Sequence, residues 1–424
     1  MKSLQALRGM RDILPPLSQK WRYVCESLSD ILEDHGYLPM ELPVLESTQL
    51  FQRSIGEVTD IVEKEMYTFL DRNEESITLR PEGTAGCVRA IIEHGLAYNQ
   101  AARYTYAGPM FRYERPQRGR FRQFYQCGAE TFGVKGPQAE VELILASKTI
   151  FEHLEITDIT LKINTLGNQE SRIAYRAALY RYFSEHRATL NADAQERLEK
   201  NPLRLLDSKD PNMAALIAKA PLFTDYLDEP SQEHFAKVLG MLDALGIPYV
   251  HDTKLVRGLD YYNDTVFEWT TQSLGAQGAV CAGGRYDSLV EQMGGIPTPA
   301  AGMAFGIDRL VELLPEGDTA SADLYVLVEG APYEFVLPMV NGWRQEWVGV
   351  RIMVDLSGAS FKSQMKAAQA SGAPICVVMN AETMTTNMVK VGYPGQALKK
   401  IDIGAVSAIL FDLDTNEISD LSKY

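Results

Sequence analysis

Cysteine is scarce and scattered. The chain has five in 424 residues: Cys25, Cys87, Cys127, Cys281 and Cys376. None forms a CxxC pair, and an odd count suits a reducing cytoplasm better than a disulfide framework. Histidine is as thin, with six residues, no HExxH and no close Cys/His set, so a structural metal held by a protein cluster is not expected. No run approaches the ~18–20 uninterrupted apolar residues of a membrane span. The opening MKSLQALRGMRDILPP has no apolar core followed by a small-residue cleavage site, which argues against a secretory signal. Also missing are a GxxxxGK[ST] loop and a GxGxxG after a strand. Any nucleotide must therefore be bound by another device. Positive charge is short as well, with 41 Lys and Arg against 56 Asp and Glu and a net charge of −15. Taken over the whole chain, that counts against a polyanion partner.

What is present is ordinary globular material, 46% hydrophobic and 23% charged. Domains usually hold ~100–200 residues, so two or three are expected. Apolar spacing predicts an amphipathic helix over 17–35, ending near Gly36. Residues 37–46 read as a strand that Pro39 and Pro43 restrict to an edge, a bulge or an interface. A short strand over 76–80 leads into Pro81-Glu82-Gly83-Thr84, then a helix over 85–94 with Thr84 as N-cap. Two long strands, 103–112 and 122–132, flank an arginine-rich loop. A helix over 137–154 and a strand over 159–163 follow. From about 167 to 246 helix formers dominate, with helices at 171–186, 192–200 and 231–245. Strands resume at 266–270 and 279–282, followed by a helix near 286–293 and a strand–glycine–helix pattern over 302–314. The polar stretch 315–322 is the best domain boundary. Beyond it strands (324–328, 349–355, 375–379) alternate with helices (334–347, 361–370), an α/β pattern suited to a mostly parallel sheet. Short strands near 387–391 and 398–402 and a helix over 405–411 close it.

Charge is not evenly spread. Between Arg103 and Arg122 lie six arginines and one acid, Glu114. Such a stripe can serve a polyanion, or it can be a solvated surface hairpin. Residues two apart on a strand share a face. Arg112 and Glu114 therefore point the same way at the loop entrance, and Phe124, Gln126, Gly128 and Glu130 line one face of the return strand. An aromatic, an amide, a gap and a carboxylate in a row fit either a ligand or solvent.

The segment FRYERPQRGRFRQFYQCGAE (111–130) resembles motif 2 of the class II aminoacyl-tRNA synthetases, with Arg112-Tyr113-Glu114, a loop, then Arg120 and Phe124. GMAFGIDRL (302–310) is similar to motif 3, with Arg309 in the first helical turn. GYLPMELPVLE (36–46) is similar to motif 1, with Pro43. LVRGLDYY (255–262), AGGRYDSLV (282–290) and TLRPEGT (78–84) resemble signatures of the histidyl-tRNA synthetases.

That resemblance implies an α+β fold: a class II antiparallel sheet flanked by helices, a helical insertion and a C-terminal α/β anticodon-binding domain. It divides the chain into 1–166 and 251–320 (catalytic), 167–250 (insertion) and 323–424 (anticodon reader). It implies a homodimer joined partly through 36–46, with ATP, L-histidine and the histidine tRNA as substrates and Mg²⁺ arriving with ATP. Arg112 and Arg257 are the implied catalytic residues. Glu114, Arg120, Phe124 and Arg309 join Arg112 at ATP. Glu82, Thr84 and Gln126 are implied at the α-amino group, Glu130 and Tyr262 at the imidazole, with Arg257 and Tyr286 in the same pocket. Gly128, Gly283 and Gly284 are expected to leave room for the ligand. Gln117, Arg118 and Arg122 are acceptor-stem candidates. The alternative is a histidine-binding regulatory paralog of a phosphoribosyltransferase that charges no tRNA. Such paralogs degrade the phosphate-binding arginines, which are intact here.

Overall fold

In the computed structural model the described residues are 4–56, 59, 61–117, 119–206, 208, 210–259, 261–275, 278–315 and 320–415. The chain forms two compact units, Met1–Pro315 and Glu316–Tyr424. Among the described residues no helix is long and apolar enough to cross a membrane.

The first unit is built on an eight-stranded sheet and a three-stranded one. The strands are β1 (Leu38–Pro39), β2 (Leu45–Ser47), β3 (Tyr67–Leu70), β4 (Ser76–Leu79), β5 (Ala102–Phe111), β6 (Gln123–Phe132), β7 (Thr160–Thr165), β8 (Tyr249–His251), β9 (Asn263–Thr270), β10 (Ala279–Arg285) and β11 (Ala300–Gly306). The large sheet runs β1-β5-β6-β11-β10-β9-β7-β8 and the small one β2-β4-β3. The six central strands of the large sheet pair antiparallel, and a short parallel strand closes each edge.

One face is covered by the helix Leu17–Asp34, which buries Trp21, Val24, Leu28, Ile31 and Leu32, one apolar stripe at helical spacing. Each fully buried leucine contributes roughly 1.5–3 kcal/mol. Gly36, at φ +79, ends this helix in the left-handed region, and its amide returns to Glu33 O at 2.8 Å. The helix Gln138–His153 packs into the same core, as do Phe235, Val238 and Leu242 of the helix Glu229–Ala244. The other helical pieces between 169 and 226 surround a separate small core around Tyr175, Leu179, Phe183, Leu198 and Phe223.

The expected strand over 37–46 survives only as its two ends. The prolines remove donors from the middle, and the side chain of Arg80 takes over. Its Nη1 donates to Leu42 O at 2.8 Å, and its Nε donates to Pro109 O at 2.9 Å. The helix expected near 286–293 shrinks to Leu289–Gln292. Thr84 begins the helix Thr84–His94 but does not cap it. The cap is the Glu82 carboxylate, which accepts from Thr84 N at 2.6 Å and Ala85 N at 2.9 Å.

The second unit has a five-stranded sheet with β12 (Leu324–Glu329), β13 (Ile352–Val354), β14 (Ile375–Asn380), β15 (Met388–Gly392) and β16 (Lys399–Asp402), ordered β13-β12-β14-β15-β16. The first three are parallel and the last two antiparallel. Gln364, buried on the helix Phe361–Ala370, pairs with both Val328 N and Val328 O at 2.8 Å, as a neighbouring strand does.

Arg285, in a segment quoted above for its likeness to a histidine signature, is a tie within the fold. It is 1% exposed and grips Glu140, itself fully buried, with Nε–Oε1 at 2.8 Å and a second contact from Nη2. It also donates to Val134 O and Gly136 O. His234 Nε2 lies 2.7 Å from the same carboxylate. Burial opposes the charge on Glu140, but His234 and Arg285 outweigh it and hold the carboxyl below its ordinary value. Arg285→Ala leaves that carboxylate buried and half-partnered. A loss of roughly 3–5 kcal/mol in stability is expected, read by urea denaturation. An unchanged midpoint would show that the tie is dispensable.

Candidate active site

A cleft of about 530 Å³ opens where β6, β11, β10 and β9 present their faces beside the arginine-rich loop. Arg112, Glu114, Arg120, Phe124, Gln126, Arg257, Tyr262, Glu268 and Arg309 line it, with Glu82 and Thr84. Local geometry explains the grouping. The amide of Arg112 donates to Arg122 O at 2.9 Å, continuing the β5–β6 ladder one step past the strand end. Arg309 follows the strand-to-helix switch from β11 (Ala300–Gly306) to Ile307–Leu313. Of the residues inferred from sequence, Glu130 and Tyr286 lie beneath the lining.

Four guanidiniums therefore converge. Arg112 Nε is held by Pro81 O at 2.8 Å, and its guanidinium lies 5.2 Å from the Phe124 ring centre. Arg120 Nε meets Glu114 at 2.6 Å. Arg257 contacts Glu268 and stands 5.6 Å from the centre of the Tyr262 ring. Arg309 donates to Ala279 O. Burial, then the charge of Arg120, holds the Arg309 guanidinium below its ordinary value. Burial, the largest influence, acts on Arg257 in the same sense, but Glu268, Tyr262 and Tyr261 together outweigh it and the group sits above its usual range. So much positive charge in one cleft suits an anion with several oxygens. Three buried polar atoms of the lining, Glu114 Oε2, Gln126 Oε1 and Arg257 Nε, make no hydrogen bond among the described residues, the first being held by its ion pair with Arg120.

Below the floor lies Glu130, with no exposed surface. Oε1 accepts from Thr84 Oγ1 at 2.8 Å and Tyr106 Oη at 2.9 Å, and Oε2 accepts from Tyr286 Oη. Burial pushes this carboxyl up to about 8, although the three hydroxyls pull the other way. Burial raises Glu82 too, against the two amides it caps. Tyr261, Tyr262 and Tyr286 wall the spot, with ring centres 4.6–6.3 Å apart.

The glycines do not open a path to a ligand as expected. A Cβ on Gly128 would lie 2.3 Å from Tyr106 Cζ, and one on Gly83 would lie 2.0 Å from Tyr106 Cε2. Gly283 is pressed by Gly302 O at 2.3 Å and Gly284 by Thr265 O at 2.5 Å. Their missing side chains make room for protein atoms. Gly302, opposite Glu130 in the ladder, would put a Cβ 1.5 Å from Glu130 Oε2.

Among the tRNA candidates, Gln117 closes a small turn with the ATP-site candidate Arg120 through two backbone bonds of 3.1 and 2.9 Å. Arg122 is half-buried, 3.6 Å from the Tyr113 ring centre and with Nε donating to Glu114 O at 3.1 Å. Arg118 lies outside the described residues. Tyr106 and Glu268 escaped the sequence reading. Tyr106 faces Gly128 across the hairpin, a large ring opposite a glycine. Glu268 is a lone acid between the buried Phe267 and Trp269. Both signals exist in the sequence but need the strand register to be noticed.

The family model described as histidyl-tRNA synthetase matches residues 9–310. A histidine–tRNA ligase of Alkalilimnicola ehrlichii is 50% identical over 391 residues, covering 90% of each chain. One from Hydrogenovibrio crunogenus is 48% identical over 397 residues, covering 92% of this chain and 93% of that one. The solved apo histidyl-tRNA synthetase of S. aureus superposes with a TM-score of 0.79 at 33% identity, covering 96% of this chain and all of the other (100%).

Replacing Glu130 tests its environment directly. With a folded value of about 8 against an ordinary 4.5, the folded state holds an extra proton between those limits. Stability is then full below pH 4.5 and falls as pH rises towards 8, by a few kcal/mol at most. In Glu130→Gln this contribution disappears. Unfolding free energies measured across that window should fall more steeply for the wild type than for the variant. Parallel curves would contradict the buried, raised carboxyl.

Proposed function

The chain belongs to the histidyl-tRNA synthetase family, and from that premise we propose that it is an ATP-dependent histidine–tRNA ligase. It activates L-histidine with ATP to histidyl-adenylate and pyrophosphate, then transfers histidine to the 3′-terminal adenosine of its tRNA. The observation that carries this reading is the convergence of Arg112, Arg120, Arg257 and Arg309 on one cleft.

The first step joins two anions. A carboxylate oxygen of histidine attacks the α-phosphorus and the bond to the β-phosphate oxygen breaks. Negative charge spreads over the phosphoryl oxygens, so positioning and charge stabilisation do most of the work. Arg112 and Arg257 take the α-phosphate from two sides, Arg309 takes the γ-phosphate, and Arg120 exchanges Glu114 for the triphosphate. Phe124 stacks on adenine. Glu114, beside these arginines, offers a carboxylate to adenine or to Mg²⁺. That ion enters with ATP and neutralises phosphate charge, as its preference for one or two carboxylates plus phosphate oxygens allows.

Histidine itself is read from below. The unpartnered Gln126 Oε1, with Glu82 and Thr84, suits its ammonium. Glu130 and Tyr262 take the imidazole, and the hydroxyls of Thr84, Tyr106 and Tyr286 fix the direction of the Glu130 carboxyl. A pocket built on buried hydrogen bonds rejects analogues lacking the partner group by ~10⁴ or more. Gln117, Arg118 and Arg122 belong to the acceptor-stem loop.

We assign 1–166 and 251–320 to catalysis, 167–250 to an insertion and 323–424 to anticodon reading. Exposed Leu38 on the edge strand β1, with exposed Val44 and Leu45 at the start of β2, supports a homodimer through the 36–46 region. Five free thiols suit a cytoplasmic location.

Histidine-dependent ATP–pyrophosphate exchange, run beside Arg257→Ala, tests the reading. Exchange with histidine alone among the amino acids is expected, reduced ~10²–10³-fold in the variant. Histidine binding without exchange in the wild type would favour the regulatory paralog.

A further inference from the structure

Residues 8–11 precede the first helix and lie against the arginine-rich loop. Arg122 N donates to Gly9 O at 2.7 Å, and Arg122 Nη1 donates to Arg8 O at 3.4 Å. Met10 N closes a turn onto Leu7 O at 2.9 Å. Gly9 sits at φ +86, and a Cβ there would fall 2.8 Å from Arg122 Cγ and 3.0 Å from Pro116 Cγ. Both the left-handed backbone and the close approach exclude a side chain. Two residues on, the Arg11 guanidinium lies 3.9 Å from the centre of the Phe121 ring. It also meets Asp308 Oδ1 at 3.1 Å. Asp308 is 3% exposed and immediately precedes Arg309. Its other oxygen accepts from Tyr125 N at 2.8 Å. The segment thus touches the loop near its start at Pro116, along its return at Phe121 and Arg122, and the helix that carries Arg309.

We propose that residues 8–11 are a positioning strap, fixing the arginine-rich loop against the helix of Arg309 so that the acceptor end of tRNA meets a loop already in place. The strap rests on the tRNA-charging reading. Its physical basis is preorganisation: a loop held before binding loses less conformational entropy when it binds. None of the strap residues lines the cleft, although Phe121 and Asp308, which Arg11 touches, do, and the side-chain contacts of Arg112 and Arg257 to Pro81 and Glu268 do not involve it. Loosening the strap should therefore fall mainly on the tRNA-dependent step. Arg11 also neutralises a buried carboxylate next to Arg309, so its loss should touch both steps, with the tRNA step hit harder.

The test compares wild type with Gly9→Val, Gly9→Ala, Arg11→Gln and Arg11→Lys. Steady-state charging of the histidine tRNA is measured beside histidine-dependent pyrophosphate exchange. Gly9→Val should raise the KM for tRNA about tenfold or more while exchange stays within about twofold of wild type. Gly9→Ala should shift in the same direction by less, and Arg11→Lys should recover most of what Arg11→Gln loses. Hydrogen exchange should show the Arg122 amide losing protection in Gly9→Val. A wild-type KM for tRNA in both Gly9 variants would overturn the strap. So would an equal fall in exchange and charging in Gly9→Ala, the mark of a general folding defect. Wild type that exchanges but charges no tRNA would overturn the ligase reading itself, and the strap's role with it.

Discussion

A carboxyl group with no contact with water sets the terms for the centre of this protein. Glu130 sits mid-strand in the large sheet, and a bare carboxylate there is costly to bury. The fold answers with three hydroxyls from three separate places: Thr84 at a helix start, Tyr106 on the paired strand and Tyr286 after β10. Each demands something further. Tyr106 reaches Glu130 only because Gly83 and Gly128 leave its ring room, and Glu130 keeps its place only because Gly302 stands opposite. Thr84 is free to serve because Glu82 caps the helix in its stead. A fully satisfied network of this kind fixes its members more firmly than packing alone.

Above it the cleft has the opposite problem, an excess of one charge. Four guanidiniums share a small space, and three of them, Arg112, Arg120 and Arg257, have a glutamate beside them. Those acids offset part of the positive charge of the cleft, and in the proposed reading a triphosphate replaces them by exchange of partners. The two layers divide the labour. The lower one, dry and rigid, suits the recognition of a small side chain. The upper one, charged and more open, suits the binding of phosphate. The glutamates of the lower layer are held towards the neutral form by burial, whereas Glu140, gripped by Arg285 and His234, is held towards the charged form.

Much of this was legible in the sequence. The alternation of strands, the helix over 17–35 with its glycine stop and the break after Pro315 rest on local spacing, whereas the residues of the cleft were named through the resemblance to the class II synthetases. Local spacing failed where a distant side chain supplied the missing bond. The strand over 37–46 gave way at its prolines because Arg80 satisfies the carbonyls. Thr84 yielded the cap to a carboxylate two residues earlier. Arg122 packs half-buried against Tyr113 and the Glu114 carbonyl, and Arg285, which nothing in the local sequence singled out, ties the fold through Glu140. The glycines looked like room for a ligand and proved to be room for neighbouring strands and for Tyr106.

By itself the sequence determined which chemistry was on offer: arginines and a glutamate around a loop, a glycine-rich strand, tyrosines beside an arginine, and no nucleotide loop of the usual kinds. Only the tertiary structure decided which arginines face the cleft and which hold the protein together. The reason is that a guanidinium reads the same in either place. Its role is set by whether its partners are protein carbonyls and carboxylates or open space, and those partners lie as many as 297 residues away, as for Arg11 and Asp308.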